Sequence, residues 1–219
     1  MAMKPLKIIY VYDALCGWCY GFSSVIKECF EIHKNDFEFE VLSGGMIIGD
    51  RVGTINQVAP FIKTAYHSVE NTTGIKFGEP YLRQLENGTM VLDSEKPSIA
   101  LSVFKSYFSD ITVRFVHDLQ RAIYYDGKNP NEYDLYRFLA VIHGIDPDDF
   151  EKEMKLDSSK ESAYYDFALV RQLRVESFPA VLIQTSETGF YLIAKGFTDF
   201  NTLELRISNV LKELEEAQD

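Results

Sequence analysis

Cysteine is scarce in this 219-residue chain: only Cys16, Cys19 and Cys29 occur. Three is the wrong number for a disulfide-stapled secreted scaffold, which would carry several pairs. Positive charge is the scarcer sign, with 22 Lys and Arg against 33 Asp and Glu and a formal charge of -11. A surface this acidic repels phosphate backbones and anionic lipid, so neither nucleic acid nor a membrane is expected as a partner. Long apolar runs are missing too. They stop at about six residues, far below the roughly 18 that span a bilayer. The N-terminus lacks a secretory signal, because Lys4 and Lys7 lead only into Ile8 to Tyr12 before Asp13, with no small-residue cleavage site behind. A cytoplasmic protein is the expectation. Walker loops, a G-x-G-x-x-G after a strand and G-x-S-x-G are all lacking, which removes the common nucleotide and serine-hydrolase signatures.

What is present is the balance of a globular protein: 46% hydrophobic residues and 25% charged. The length fits one large domain, or one domain with an insertion. KIIYVY at 7–12 reads as a strand buried on both faces. From Gly17 to His33 the residues Phe22, Val25, Ile26, Cys29, Phe30 and His33 recur at spacings of three and four, one face of a helix. Residues 37–42 alternate as a second strand, and Ser43-Gly44-Gly45 ends it. The middle is helical: a run behind Pro60, a cap at 93–97 leading into 99–108, then segments at 115–123, 133–142 and 164–173. Strands return at 180–184 and 190–194 as a hairpin turned by Glu187-Thr188-Gly189, followed by a helix at 203–214. Acidic residues in that last turn oppose the helix dipole, so the tail is expected to fray. The pattern predicts an α/β domain in two parts, 1–54 and 161–219, interrupted by an all-helical insertion at 55–160.

The chemistry sits at Cys16-Gly17-Trp18-Cys19, where the first strand hands over to the first helix. A cysteine at such a helix start faces unsatisfied N–H groups and the positive dipole end, both of which favour a thiolate. Two cysteines at this spacing can close a disulfide across the first turn. Cys16, at the open end, would attack a substrate disulfide, and Cys19, one turn in, would resolve the mixed disulfide. Cys16, Cys19, Cys29 and His33 also spell a Cys3His zinc series. Ten residues of helix separate Cys19 from Cys29 by about 15 Å, too far for one ion, so no metal is expected and Cys29 reads as a small core hydrophobe.

Asp13 has two readings: a buried carboxylate that tunes Cys19 or passes it a proton, or a turn former at a strand end. His33, His67, His117 and His143 are scattered and read as structural or exposed. Gly44-Gly45-Met46 could admit close backbone approach to the site, though a plain turn explains it as well. The 16 Phe and 13 Tyr supply core, and some could line a peptide groove between the helical part and the α/β part.

The stretch Tyr12-Asp13-Ala14-Leu15-Cys16-Gly17-Trp18-Cys19-Tyr20-Gly21-Phe22, the helical insertion, and Val175-Glu176-Ser177-Phe178-Pro179-Ala180 resemble the DsbA family of thioredoxin-fold oxidoreductases, above all its FrnE-like cytoplasmic branch. The resemblance runs over nearly the whole chain. It implies a thioredoxin-like α/β fold with a large all-helical insertion, and a thiol-disulfide oxidoreductase. It makes Pro179 the match of the family's cis-proline, which packs against the active-site disulfide. The Phe178 backbone would then offer its N–H and C=O to an extended substrate, and Trp18, Phe178 and Pro179 become the expected substrate-binding residues. No cofactor beyond the dithiol is implied; partners would be protein or small-molecule thiols, with glutathione a possible co-substrate.

The chain departs from the family at Ala14, where many relatives have proline, and at Gly17-Trp18, which matches neither periplasmic DsbA nor thioredoxin. That dipeptide helps set reduction potential, so the direction of electron flow stays open. A second cysteine pair found in some FrnE relatives is missing. Two rivals share the architecture: glutathione-dependent kappa-class transferases or hydroxychromene-carboxylate isomerases, which typically carry serine at the position of Cys16, and a chaperone-like module with a vestigial pair.

Overall fold

The computed structural model describes residues 6–217. β1 (Lys7–Tyr12) is the centre of the architecture. It pairs in parallel with β2 (Glu38–Ser43) and antiparallel with β5 (Ala180–Gln184), and β6 (Phe190–Lys195) closes the other edge, giving the order β2-β1-β5-β6. The run of apolar residues in β1 has a simple cause: successive side chains go to opposite faces, and both faces are covered. Ile8, Tyr10 and Tyr12 enter the large core with Phe22, Ile26 and Phe30 of α1 (Gly17–His33) and Leu203 and Ile207 of α9 (Phe200–Glu216). Ile9 and Val11 enter a second core with Leu42, Leu182 and Val170, the last from α8 (Asp157–Gln172). Fully buried aliphatic or aromatic side chains stabilise by about 1.5–3 kcal/mol each, so the two faces together fix β1 in place.

Between β2 and α8 lie α2 (Ala59–Thr73), α3 (Glu79–Asn87), α4 (Glu95–Tyr107), α5 (Thr112–Tyr124), α6 (Tyr133–Ile142) and α7 (Pro147–Met154). Pro60 stands in the first turn of α2, where a missing N–H costs nothing, and Gly74 ends it at φ 76°. The whole is a mixed α/β chain whose small sheet is interrupted by a helical block.

Several details differ from the sequence reading. α3 and α7 were not anticipated; each buries only two residues, Tyr81 with Leu85 and Phe150 with Met154, too few to print a clear period. The insertion also holds a two-residue antiparallel bridge, β3 (Gly53–Thr54) with β4 (Val91–Leu92). α8 begins at Asp157, well before the apolar positions that mark it, because its first turns are polar. It runs unbroken across position 160, the division taken from sequence, and packs on both β2 and α4. α9 stays helical through Glu216 despite its acidic last turn, with Lys212 Nζ 3.8 Å from Glu216.

Candidate active site

β1 and α1 meet in a turn built around Asp13. Its carboxylate is buried and accepts the Leu15 N–H at 2.9 Å, an Asx turn that reverses the chain after β1. The same carboxylate accepts the Met46 N–H at 2.7 Å and the Ser94 hydroxyl at 2.9 Å, tying the turn to the loop after β2 and to the start of α4. Its backbone carbonyl accepts the Cys16 N–H at 3.1 Å and the Gln120 amide at 3.2 Å. Burial raises the Asp13 carboxyl above its ordinary range, while the bonds from Met46, Leu15 and Ser94 pull it back. All of these contacts hold the turn. Ser94 and Gln120 were not singled out as site residues; only the cap at 93–97 hinted at the first.

Cys16 takes the N-cap position of α1 with an extended backbone, φ -91° and ψ 111°. Its sulfur accepts the Cys19 N–H at 3.4 Å, so one of the orphan donors of the helix start points at it. Cys16 is 7% exposed and Cys19 0%, an outer and an inner sulfur as their places on the first turn require. Burial pushes the Cys19 thiol well up, and the neighbouring Cys16 sulfur adds to the shift. Trp18, between them, is 36% exposed.

The chain returns to this point 162 residues later. The Cys16 thiol faces the Phe178 carbonyl at 3.7 Å, the acceptor for its S–H. The Phe178–Pro179 peptide bond is cis. Among the described residues the Phe178 N–H has no intrachain partner. The Phe178 ring lies over Gly44: a Cβ built there would overlap the ring's Cζ and Cε1 and stand 2.7 Å from Cε2. Gly44 is therefore a close-approach position as well as the end of β2, and its N–H is bound to the Tyr12 carbonyl at 2.7 Å.

Beside Cys16 opens a cavity of about 270 Å³ between the α1 start and α2, with Trp18, Phe61, Ile62, Tyr66 and Tyr124 on its walls. Phe61 is 74% exposed at its rim. No charged side chain lines it among the described residues. Tyr20 stacks on Tyr124 at 5.0 Å between centroids, and Phe77 and Tyr81 pack edge-on against Tyr124, which makes the wall rigid. So Cys16, Cys19, Trp18, Phe178 and Pro179 come together, and Asp13 underpins them. Cys29 and His33 sit at the other end of α1.

Comparison with protein-family models returns no match, and comparison with curated proteins returns none. Solved structures do match over nearly the whole chain. A candidate protein disulfide isomerase from Nitrosomonas europaea is 23% identical, with a TM-score of 0.81 covering 96% of this chain and 99% of that one. The cytosolic disulfide reductase DsbM of Pseudomonas aeruginosa is 19% identical, TM-score 0.77 over 94% and 98%, and has also been solved with GSH. A 2-hydroxychromene-2-carboxylate isomerase is 13% identical, TM-score 0.65 over 97% and 98%. At these identities the likeness is one of architecture, and it agrees with the β2-β1-β5-β6 sheet and its helical insertion. The chain has the DsbA-like thioredoxin fold.

Proposed function

We propose that the chain is a thiol-disulfide oxidoreductase working through Cys16 and Cys19. One observation carries the reading: an outer cysteine caps the helix and faces a main-chain carbonyl, with an inner cysteine buried one turn behind it. In the reducing direction the Cys16 sulfur attacks one sulfur of a substrate disulfide. The substrate S–S bond breaks and the departing sulfur takes the electron pair. Cys19 then loses its proton and attacks the Cys16 sulfur, which releases the second substrate thiol and leaves a Cys16–Cys19 disulfide. Two electrons have passed to the substrate, and the reverse sequence oxidises a dithiol. The raised Cys19 thiol fits a sulfur that does not make the first attack.

The substrate chain would lie along residues 177–179, taking the free Phe178 N–H in a strand-addition contact. Trp18 and the apolar cavity would cover the groups beside the reacting sulfur. The partners proposed are protein thiols, with glutathione as a possible co-substrate; the structure of DsbM with GSH supports that choice.

The test is a redox titration of the pair in glutathione buffers, read by the fluorescence of Trp18, the only tryptophan. A two-electron transition is expected, lost in Cys16→Ser. Cys19→Ser should accumulate a mixed disulfide detectable by mass. Exchange activity surviving in Cys16→Ser overturns the mechanism. Both thiols staying free in every buffer, with saturable binding of reduced glutathione, would move the assignment to the isomerase or transferase class. Undiminished suppression of client aggregation by the double cysteine variant would move it to a chaperone-like module.

A further inference from the structure

The far end of α1 carries a second group of reactive side chains. Cys29 and His33 are one helical turn apart and share a face, and α9 lays Glu204 against them. A sulfur, a ring nitrogen and a carboxylate oxygen from these three residues all lie within 4.8 Å of one another. His33 Nε2 stands 2.9 Å and 3.0 Å from the two Glu204 oxygens. Cys29 is fully buried and forms the floor, while the His33 and Glu204 side chains, 17% and 28% exposed, form the open side. No Lys or Arg pairs with Glu204 among the described residues, although most other partly buried carboxylates of the chain that make ion pairs have one.

We propose that Cys29, His33 and Glu204 bind a divalent transition-metal ion of the zinc class, at a site separate from the redox pair and independent of the redox reading. The donor set is one thiolate, one imidazole and one carboxylate, each an established ligand type for that ion and a mixture poorly suited to calcium or magnesium. Two negative donors and a neutral ring match the +2 charge, which is how buried charges are tolerated. Tetrahedral coordination at about 2.0–2.3 Å sets donors roughly 3.3–3.6 Å apart. The His33–Glu204 pair would open by about half an ångström, the sulfur would approach by about 1.2 Å at most, and water would take the fourth position.

Binding breaks the Cys29 S–H bond, forms a sulfur–metal bond and releases the proton to solvent; no electrons move. Burial, with the Glu204 charge behind it, pushes the free Cys29 thiol up to about 12, so without a cation this sulfur is a neutral thiol. A bound cation reverses that balance. Cys19 and Cys29 are ten residues apart on one helix, about 15 Å, so the ion would not touch the redox centre. It would fasten α1, the helix that begins at Cys16, to α9.

The experiment uses the full chain with Cys16→Ser and Cys19→Ser, which removes the other two thiols. Cobalt(II) is titrated in and followed by absorbance. One equivalent should give a sulfur-to-cobalt charge-transfer band with the d–d bands of a tetrahedral ion, and zinc should displace it. Adding Cys29→Ala should abolish the charge-transfer band. Adding Glu204→Gln, which can still hydrogen-bond His33, should weaken affinity by more than the roughly 10- to 100-fold lost with an outer-sphere partner. If Cys29→Ala does not fold, thermal unfolding decides: zinc should raise the Tm of the double-serine protein and raise that of its Glu204→Gln form by clearly less. Absence of the charge-transfer band, or a zinc shift equal in both proteins, overturns the proposal and leaves His33–Glu204 as a simple hydrogen-bonded pair.

Discussion

Gly44→Ala is a small change with a large geometric consequence. The new methyl would overlap two carbons of the Phe178 ring and lie 2.7 Å from a third, where carbon atoms settle at about 3.5–4.0 Å. Gly44 cannot retreat easily, because its N–H holds the Tyr12 carbonyl at 2.7 Å at the end of the sheet. Its φ is outside the left-handed region, so the substitution adds no backbone strain of its own. The ring must therefore move by more than about 1 Å, and it is attached to the carbonyl that faces Cys16. Overpacking of this kind costs about 1–3 kcal/mol. If 1–2 kcal/mol of that falls on the reactive arrangement, disulfide exchange slows by about 5- to 30-fold. The same total lowers Tm by about 2–4 °C per kcal/mol for a chain of this size. The assay is kcat/KM on a fluorogenic disulfide peptide, alongside thermal unfolding. Gly44→Ala/Phe178→Leu, which removes the outer ring carbons, should recover most of both losses, a coupling visible in a double-mutant cycle. Wild-type exchange and wild-type Tm in Gly44→Ala would refute the claim that this contact positions Phe178.

Further outcomes follow from other contacts. Gly78→Ala places a methyl on the Tyr125 backbone carbonyl, overlapping the oxygen and 2.7 Å from the carbon, so a loss above about 2 kcal/mol is expected. Gly17→Ala meets only Phe77, at 3.7 Å, and should change stability by less than about 0.5 kcal/mol; a denaturant titration of each variant measures both. Lys105→Met leaves the buried Asp166 without the ammonium that sits 2.8 Å away, which should cost about 3 kcal/mol at neutral pH. That cost should shrink as acid protonates Asp166; a cost that does not depend on pH would contradict it. For Asp13 the native carboxyl is raised above the ordinary value of 3.8, so between that value and the raised one the folded state holds the extra proton. Its contribution to stability is then full at or below the ordinary value and declines as pH rises through the raised one. The stability difference between wild type and Asp13→Asn should accordingly narrow as pH rises from about 4; a widening gap would show that the shift has the opposite sign.

Much of the architecture could be read along the chain because its signals are local. KIIYVY, with apolar residues at both parities, required a strand covered on both faces. The three-and-four spacing from Phe22 to Phe30 required the α1 face that now meets the sheet. Gly189 between two β-rich runs required the β5–β6 hairpin. The two cysteines at the strand-to-helix junction needed only the helix start to become an outer and an inner sulfur. Short polar helices such as α3 and α7 escaped notice because two buried side chains do not make a period. The start of α8 escaped because its polar first turns carry no apolar mark.

The site is another matter, since its parts are joined only by packing. The Phe178 carbonyl reaches Cys16 because β5 pairs antiparallel with β1, a register that no local pattern near either residue specifies. The loop at Met46 and the head of α4 bring a backbone N–H and the Ser94 hydroxyl onto the Asp13 carboxylate, contacts that no local pattern near Asp13 specifies. The apolar cavity exists because α2 crosses the start of α1. His33 acquired a carboxylate partner from 171 residues away because α9 returns along α1. Sequence alone determined most of the elements and the spacing of Cys16 and Cys19 at a helix start, through periodicities of two and 3.6 residues that reach no further than a helix or strand. The tertiary structure decided which groups meet, because contact across such separations depends on sheet register and on which helix faces are buried together.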